Sequence, residues 1–445
     1  MGRRRAARER LERGQPDVEL AILMGALLVM IFIGAPIAAT MAVLPAIYIA
    51  VTDELPLSTV PYQMYEAIAS APLIAIPFFL LTGALMNSGQ ITERLLLLSR
   101  ELVGRVRGGL AQTTVLVSML FAGMSGSAVA DTAAVGGVLI PAMKKDGYHG
   151  PFAAALCAVA GTIGGIVPPS IVMILLAGSL GMSTGGLFMA GVVPGIVIGL
   201  LLMAVAYVVS VRRRYPRYEA PFRVTVLLRA IAGALPPLVI PLVIILGIVF
   251  GVFTATEAGA ITVLVAAALG FFLYRSLTAR ELARTITHTV KVTSSVFFIL
   301  AASGPFSWLL NRIGALQGLE GWFMGYTGSP VTFTLLLIGF ILLVGTVIET
   351  IPAIVVLAPT LIKVSVAAGF HEIQAALVLV VGFILGAVTP PVGIVYFTAA
   401  FIADEPLEKV GWALIPFMLV EVVVMFMILA FPALTLWLPK LLKFI

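Results

Sequence analysis

Long apolar segments alternate with short polar ones along almost the whole chain. An apolar run of about 20 residues is long enough for one helix to cross the hydrocarbon core of a bilayer. The pattern therefore predicts an all-α, polytopic membrane protein. The predicted spans cover residues 18–48, 67–86, 152–177, 187–211, 235–252, 257–274, 290–304, 375–403 and 410–437. Two amphipathic segments, 91–106 and 306–327, predict helices that lie along the membrane surface.

Two further apolar blocks, residues 110–143 and 331–368, carry polar residues where a lipid-facing helix would carry aliphatic ones. The first contains Gly-Met-Ser-Gly-Ser-Ala-Val-Ala-Asp at 123–131, and the second contains Gly-Thr-Val-Ile-Glu-Thr-Ile-Pro at 345–352. Such residues are tolerated at membrane depth where protein or a water-filled cavity surrounds them. Basic residues flank the first block on both sides, so both of its ends favour the cytoplasm. We therefore predict two re-entrant hairpins, each made of two half-helices.

Two of the predicted spans are interrupted by glycine and proline. The first interruption reads Gly-Gly-Ile-Val-Pro-Pro at 164–169, and the second reads Gly-Ala-Val-Thr-Pro-Pro-Val-Gly at 386–393. Proline removes an N–H donor, so the carbonyl groups that precede it lose their helical partners. Both spans are therefore predicted to be discontinuous helices.

The hairpins and the interruptions repeat along the chain at one spacing. Gly345 follows Gly123, Gly386 follows Gly164 and Pro390 follows Pro168, each by 222 positions. The intervening span at 235–252 has no counterpart, which predicts that the second copy enters the membrane from the opposite side. The predicted units are a cytoplasmic basic N-terminus (1–17), a first inverted repeat (18–211), a basic loop with a linking span (212–256) and a second inverted repeat (257–445). Inverted repeats with discontinuous helices are typical of secondary transporters.

Composition and charge narrow the class further. The chain is 61% hydrophobic and 11% charged, with a mean hydropathy of +1.13, which leaves no room for an ATPase or a ligand-binding soluble domain. The net charge of +6 comes from arginines in short segments between apolar runs. This is the positive-inside pattern of cytoplasmic loops rather than a nucleic-acid surface, although such clusters also suit membrane lipid. The N-terminus is predicted to be cytoplasmic and the C-terminus periplasmic. Cys157 is the single cysteine, so no internal disulfide is expected.

Unwound carbonyls and hydroxyls are hard oxygen donors that suit sodium, and the N-termini of half-helices suit a carboxylate. We therefore predict two sodium sites related by the repeat. The alternative role for these small residues is close helix packing. The predicted sodium ligands are Ser125, Gly126, Ser127, Gly165, Val167 and Pro168 in the first half, and Gly345, Thr346, Glu349, Val388, Thr389 and Pro390 in the second. The predicted substrate contacts are Ser127, Asp131, Pro169, Ser170, Thr350, Pro391 and Gly393.

The acidic residues of the two tips admit more than one role. Asp131 and Glu349 could each carry a proton, ligate a cation or hold the tip in shape, and for Asp131 we favour the structural role. His149, His288 and His371 fall at predicted loop or helix ends without the spacing of a metal site. No serine–histidine or metal pair lies near the tips, so we expect neither an enzyme nor an organic cofactor.

The chain resembles the large membrane subunit of tripartite ATP-independent periplasmic (TRAP) transporters. The resemblance rests on Ile-Pro-Phe-Phe at 76–79, Gly-Gly-Leu-Ala at 108–111, the run 119–131, the run 140–148, the residues 166–170 and Thr-Pro-Pro-Val-Gly at 389–393. It is looser in the second half, where Glu-Thr-Ile-Pro stands at 349–352 in place of an expected Asp-Pro.

This resemblance implies a sodium-driven symporter of the bacterial inner membrane that imports organic acids by an elevator movement. It also implies two partners, a small four-helix membrane subunit and a periplasmic substrate-binding protein. The alternative is a self-sufficient sodium/carboxylate symporter of the same architecture that needs no binding protein.

Overall fold

The computed structural model describes residues 16–53, 55–88, 91–218, 221–390 and 393–445. Within these ranges the regular secondary structure is helical, with no strand. The α-helices are α1 (Pro16–Phe32), α2 (Ile37–Thr52), α3 (Thr59–Ile68), α4 (Ala75–Ser88), α5 (Ile91–Val103), α6 (Gly109–Ser125), α7 (Ala128–Lys145), α8 (Gly150–Thr162), α9 (Ile171–Leu180), α10 (Thr184–Arg212), α11 (Val224–Val249), α12 (Ala255–Ala268), α13 (Ala279–Arg312), α14 (Ala315–Met324), α15 (Pro330–Gly345), α16 (Thr350–Ala367), α17 (Glu372–Gly386), α18 (Ile394–Ala403), α19 (Leu407–Ala430) and α20 (Ala433–Leu441).

The first predicted span, 18–48, was expected to bend or tilt around residues 34–36. It is two helices that meet there, because Gly34 adopts a positive φ of 84° and Pro36 begins a new helix directly after it. The region that follows differs from the expectation. The segment 53–66, expected to be a loop, contains α3. This helix meets the following one at an angle of 68°, with a 3-10 turn bearing Pro72 at the bend.

A larger correction concerns α13. The sequence predicted a span at 290–304 followed by a surface helix at 306–327, whereas the structure has one helix of 34 residues and then the short α14. Thr278 and Glu281 form a capping box, in which each side chain bonds the other residue's backbone N–H, and this fixes the start of α13. The predicted last span at 410–437 is likewise two helices, α19 and α20.

Helix length separates the spans from the shorter elements. Six helices of the described ranges have the length and apolar character to cross a membrane, and a seventh span results if the bent pair α3–α4 is counted as one. Shorter apolar helices of 10–17 residues include both halves of each interrupted span, α8 with α9 and α17 with α18. At about 1.5 Å per residue they fall short of the membrane core on their own. Insertion of the helix pairs α6–α7 and α15–α16 from one membrane face stays a prediction.

The helix order repeats along the chain. The start of α16 follows that of α7 by 222 residues and the start of α17 follows that of α8 by 222, while α18 and α19 follow α9 and α10 by 223. The inverted orientation of the two halves stays a prediction.

The packing interleaves the two halves. Helix α7 packs on α8 of its own half and on α18 of the other, and α16 packs on α17 and on α9 in the same manner. At the ends of α7 and α18, Lys144 donates to the carbonyl of Ala403 and pairs with Glu405 at 3.4 Å. Helices α8 and α17 are almost entirely buried and form the centre of the core.

Candidate functional site

The first tip is the two-residue turn between α6 and α7. Gly126 ends α6 with φ 66°, a left-handed conformation that favours glycine. Ser127 is extended and caps α7, its Oγ accepting a hydrogen bond of 3.4 Å from the Ala130 N–H. The two half-helices therefore meet at Ser125, Gly126 and Ser127, three of the six predicted sodium ligands of this half.

Asp131 ties the two arms of this tip together. It is fully buried in the first turn of α7, and its Oδ1 accepts a hydrogen bond from Ser125 Oγ at the end of α6. The other oxygen, Oδ2, has no hydrogen-bond partner among the described residues and lies against Gly164, where an added Cβ would be 2.0 Å away. These contacts join the two arms of the tip and place the second oxygen of Asp131 at the interruption between α8 and α9, while the structural role favoured for this residue stays a prediction.

The first tip faces the first interruption, as predicted. The Gly126 carbonyl accepts a hydrogen bond of 3.3 Å from the Ile171 N–H, and an added Cβ at Gly126 would lie 2.7 Å from the Pro169 carbonyl oxygen. Ser170 caps α9 and also donates its hydroxyl to the Gly165 carbonyl. Of the carbonyls predicted as ligands, that of Gly165 therefore already has one partner within the chain.

The second tip, 345–350, docks on its own interruption by a closer backbone approach. An added Cβ on Gly386 would lie 2.5 Å from the Gly345 Cα, so only glycine fits at this contact. Thr350 donates its hydroxyl to the Phe383 carbonyl at 3.0 Å. Thr346 donates to the Leu343 carbonyl of its own helix, and the half-buried Glu349 makes no cap hydrogen bond at the start of α16.

The second interruption is held mainly by its own backbone. Thr389 donates its hydroxyl to the Leu385 carbonyl at 2.8 Å and accepts from the Gly393 N–H at 3.3 Å through its carbonyl. Val388 is buried beside it. Pro391, a predicted substrate contact, lies outside the described residues. The contacts between this half's tip and interruption fall at Phe383 and Gly386, a few residues before the predicted ligands Val388, Thr389 and Pro390.

The two interruptions lie close to each other at the centre of the molecule. An added Cβ on Gly165 would be 2.5 Å from Cδ1 of Ile384, in the last turn of α17. The predicted ligands of each tip therefore lie beside the interruption of their own half. The two interruptions contact each other between the two tips.

Sequence reasoning missed one buried acid. Glu421, in the middle of α19, is fully buried, and its carboxylate contacts the Thr162 hydroxyl in the last turn of α8. An ionisable residue inside an apolar run was the available signal. Neither buried acid has an acidic counterpart in the repeat. Position 198, 223 residues before Glu421, is isoleucine, and position 353, 222 residues after Asp131, is alanine. Asp131 lies against Gly164 and Glu421 contacts Thr162, so both buried carboxylates flank the first interruption.

A cavity of about 560 Å³ opens beside the first tip. It lies between α4, the tip and α13, and its lining combines Ser125 and Ser127 with Arg284, His288 and Thr289. The expectation that His288 falls at a helix end was wrong, because α13 begins at Ala279 and carries it in its third turn. These α13 residues were missed because the predicted span began after them.

Comparison with known proteins decides the family. The family model for the DctM component of tripartite ATP-independent periplasmic transporters matches residues 24–434. The chain belongs to this family. It is a TRAP transporter large membrane subunit, and therefore a transporter component rather than an enzyme.

Several TRAP permeases are similar over most of their length. The chain is 31% identical over 415 residues to the sialic acid TRAP transporter large permease protein SiaM of Vibrio cholerae, covering 93% of this chain and 96% of that one. It is 34% identical over 380 residues to the C4-dicarboxylate large permease protein DctM of Pseudomonas aeruginosa, covering 85% and 88%. A third relative is the isethionate permease protein DctMQ of Oleidesulfovibrio alaskensis, 30% identical over 414 residues and covering 93% and 65%.

A solved structure supports the fold alone. The YdaH transporter of Alcanivorax borkumensis superimposes with a TM-score of 0.61 at 14% identity, covering 91% of this chain and 97% of that one. A TRAP large subunit thus shares its overall helix arrangement with a transporter of very different sequence.

Proposed function

We propose that this chain carries an organic acid into the bacterial cell together with sodium, as the large permease subunit of a TRAP transporter. The observation that carries the proposal is the duplicated pairing of a hairpin tip with an interrupted helix, in which Gly126 bonds Ile171 and Gly345 packs on Gly386. Interrupted helices expose carbonyl groups and helix N-termini, the groups that hold small cations and carboxylates in secondary transporters.

The proposed sodium sites use the oxygen donors of each tip. Ser125, Gly126 and Ser127 serve the first half, together with carbonyls of 165–168, and Thr346, Glu349 and the residues 388–390 serve the second. Sodium favours hard oxygen ligands, and the hydroxyl oxygens of Ser127 and Thr389 keep lone pairs after making the hydrogen bonds described above.

The substrate class follows from the relatives and from the tip geometry. The named substrates of the three relatives are sialic acid, C4-dicarboxylates and isethionate, each an acid. The N-termini of α7 and α9 both lie at the first tip, and the positive ends of the two helix dipoles favour an anion there. We propose that the carboxylate lies between the two tips, and that Ser127, Ser170, Thr350 and Gly393 contact it.

The proposed cycle moves both hairpins and both interrupted helices as one unit against the rest of the chain. The interleaved packing of α7 with α18 and α16 with α9 supports this, because the halves cannot separate without losing buried contacts. The proposed partners are a small membrane subunit and a periplasmic binding protein that delivers the acid.

Reconstitution tests the proposal. The complete complex in proteoliposomes should accumulate the acid carried by its binding protein when an inward sodium gradient is imposed, and a potassium gradient should not replace it. Omitting the binding protein or the small subunit should abolish uptake. Uptake by this chain alone would instead identify a self-sufficient sodium/carboxylate symporter, and equal uptake without sodium would contradict sodium coupling.

A further inference from the structure

We propose that the cavity beside the first tip is an anion vestibule, in which Arg284 and His288 of α13 attract the acidic group of the substrate on the cytoplasmic side. The inference rests on the proposed function and deepens it, since it assigns a charged site next to the predicted binding tip, on the side where an imported acid is released. Its physical basis is the lining of the cavity, which can be examined without reference to sodium coupling.

The polar lining consists of hydrogen-bond donors and neutral groups. Asn87, Ser125, Ser127 and Thr289 contribute amide or hydroxyl groups, and no carboxylate belongs to the lining in the described part of the chain. Thr289 is 5% exposed, and its hydroxyl has no hydrogen-bond partner among the described residues. A buried hydroxyl that lines a cavity without a partner is a group that a ligand can satisfy.

The basic side chains in the lining of this cavity all belong to α13. Arg284 and His288 are four residues apart on α13, so they lie on one face of the helix. Both also line a second, more open groove of about 420 Å³ together with Arg280 and Lys291. Basic residues of α13 therefore line both the outer groove and the vestibule, and Arg284 and His288 belong to both.

Arg284 forms no ion pair within the described structure, although its charge acts on the exposed carboxylate of Glu281, three residues before it. No carboxylate oxygen of the described residues lies within 4.0 Å of its guanidinium. The nearest acid in sequence, Glu281, directs its carboxylate to the backbone N–H and hydroxyl of Thr278. An unpaired cation beside low-dielectric walls focuses the potential and raises the local concentration of anions.

The remaining walls suit the carbon part of an organic acid. Leu80, Phe121 and Val129 line the vestibule, and its volume falls within the usual range for small-molecule sites. The tip serines stand in the same cavity as Arg284, so an anion held there is already beside the proposed binding site.

Thiol modification measures the charge of this cavity directly. Ala133 is an exposed residue that lines the vestibule, and the native Cys157 is fully buried, so Ala133→Cys supplies one reactive thiol. The complex carrying this reporter is treated with an anionic sulfonatoethyl and a cationic trimethylammonioethyl methanethiosulfonate. We expect the anionic reagent to react faster, and Arg284→Gln to lower the ratio of the two rates by about fivefold.

Lys291→Gln is the matched control. It removes one positive charge from the same helix and the same outer groove, but Lys291 does not line the vestibule. A clearly smaller change in the rate ratio than with Arg284→Gln supports the proposal. Equal changes in the two variants, or no change in Arg284→Gln, would overturn it in favour of a general surface potential.

The lipid composition separates the two sources of an anion. If an anionic lipid headgroup occupies Arg284, the effect of Arg284→Gln on the rate ratio will disappear in vesicles of phosphatidylglycerol and persist in vesicles of zwitterionic phosphatidylcholine, and this outcome overturns the vestibule. Persistence in both supports it. Because the assay uses neither sodium nor substrate, its failure is distinct from a failure of sodium-coupled uptake.

Discussion

At the scale of single residues, the tip contacts the interruption through different groups in the two halves. The first half uses a buried carboxylate, Asp131, that accepts from Ser125 and lies against Gly164. The second half has alanine at the equivalent position, 353, and relies on direct contact of Gly345 with Gly386. The glycine contact is therefore a steric requirement, whereas the carboxylate contact is a polar one.

Replacement of Gly386 tests the steric requirement. Gly386→Ala places a methyl group 2.5 Å from the Gly345 Cα, so we expect a destabilisation of about 2 kcal/mol and a lower melting temperature in detergent. Gly339→Ala, within α15, is the control, because nothing lies within 4 Å of its added Cβ and it should leave the protein unchanged or more stable by about 0.5 kcal/mol. Equal melting temperatures for the two variants would contradict the contact.

Loss of a tip hydroxyl tests the first sodium site. Ser127→Ala should raise the sodium concentration for half-maximal uptake about tenfold, the equivalent of about 1.4 kcal/mol of ligand binding. Since Ser127 also caps α7, part of any effect is the loss of a cap, about 1 kcal/mol of stability.

Ser183→Ala controls for that loss. Ser183 caps α10 through a 3.1 Å hydrogen bond from the Gly186 N–H, away from the tips. It should lower stability to a similar degree and leave sodium activation unchanged. We expect Thr389→Ala to weaken sodium activation in the second site. Unchanged activation in both Ser127→Ala and Thr389→Ala would remove these residues from the sites.

At the scale of elements, glycine and proline end the helices at both tips and both interruptions, where the sequence predicted helix ends. The tips and interruptions were predictable because their breakers are local and recur at a fixed spacing. The start of α13 was not, because Arg280, Arg284, His288 and Lys291 lower the hydropathy of its first turns. The residues of α13 that line the cavity were therefore not predicted to belong to a membrane span.

Contacts between elements that are distant along the chain could not be predicted from the sequence either. The contact between Glu421 and Thr162 joins α19 to α8 across 259 positions, and no local pattern encodes it. The sequence showed that each tip belongs with an interruption, but it could not show which backbone groups meet there. The Gly165 carbonyl, predicted as a ligand, proved to be bonded by Ser170.

The turn of the first tip provides a prediction at this scale. Gly126→Ala forces a residue with Cβ into φ 66° and places that Cβ 2.7 Å from the Pro169 carbonyl oxygen, so the tip should separate from the interruption. We expect uptake to fall at least about tenfold. Gly181→Ala has nearly the same φ, 67°, but open space around it, and should cost only the backbone strain of about 1 kcal/mol. Equal activity of the two variants would exclude a role for tip docking.

At the scale of the whole molecule, an elevator cycle requires that the central unit slide past its surroundings. Ser70, before α4, donates a hydrogen bond of 3.0 Å to the Gly178 carbonyl of α9. This contact joins the first interrupted helix to the segment between α3 and α4, and it is therefore one that the proposed movement would break.

A disulfide at this contact tests the movement. An added Cβ on Gly178 would lie 3.0 Å from Ser70 Oγ, which is compatible with a disulfide between Ser70→Cys and Gly178→Cys. Oxidation of the double variant should arrest uptake, and a reductant should restore it, while each single variant remains active under oxidation. Full uptake by a quantitatively cross-linked protein would contradict a sliding of α9 past Ser70.

The unequal distribution of buried acids bears on the energetics of such a cycle. If the two halves are inverted copies, identical halves would relate the inward-open and outward-open forms by a two-fold rotation about an axis in the membrane plane, and the two forms would have the same free energy. Asp131 and Glu421 both flank the first interruption, and their counterparts in the repeat are Ala353 and Ile198, neither of which is acidic. In such a cycle the unequal placement of these acids would make the two free energies differ, so the empty carrier would rest in one orientation more than in the other.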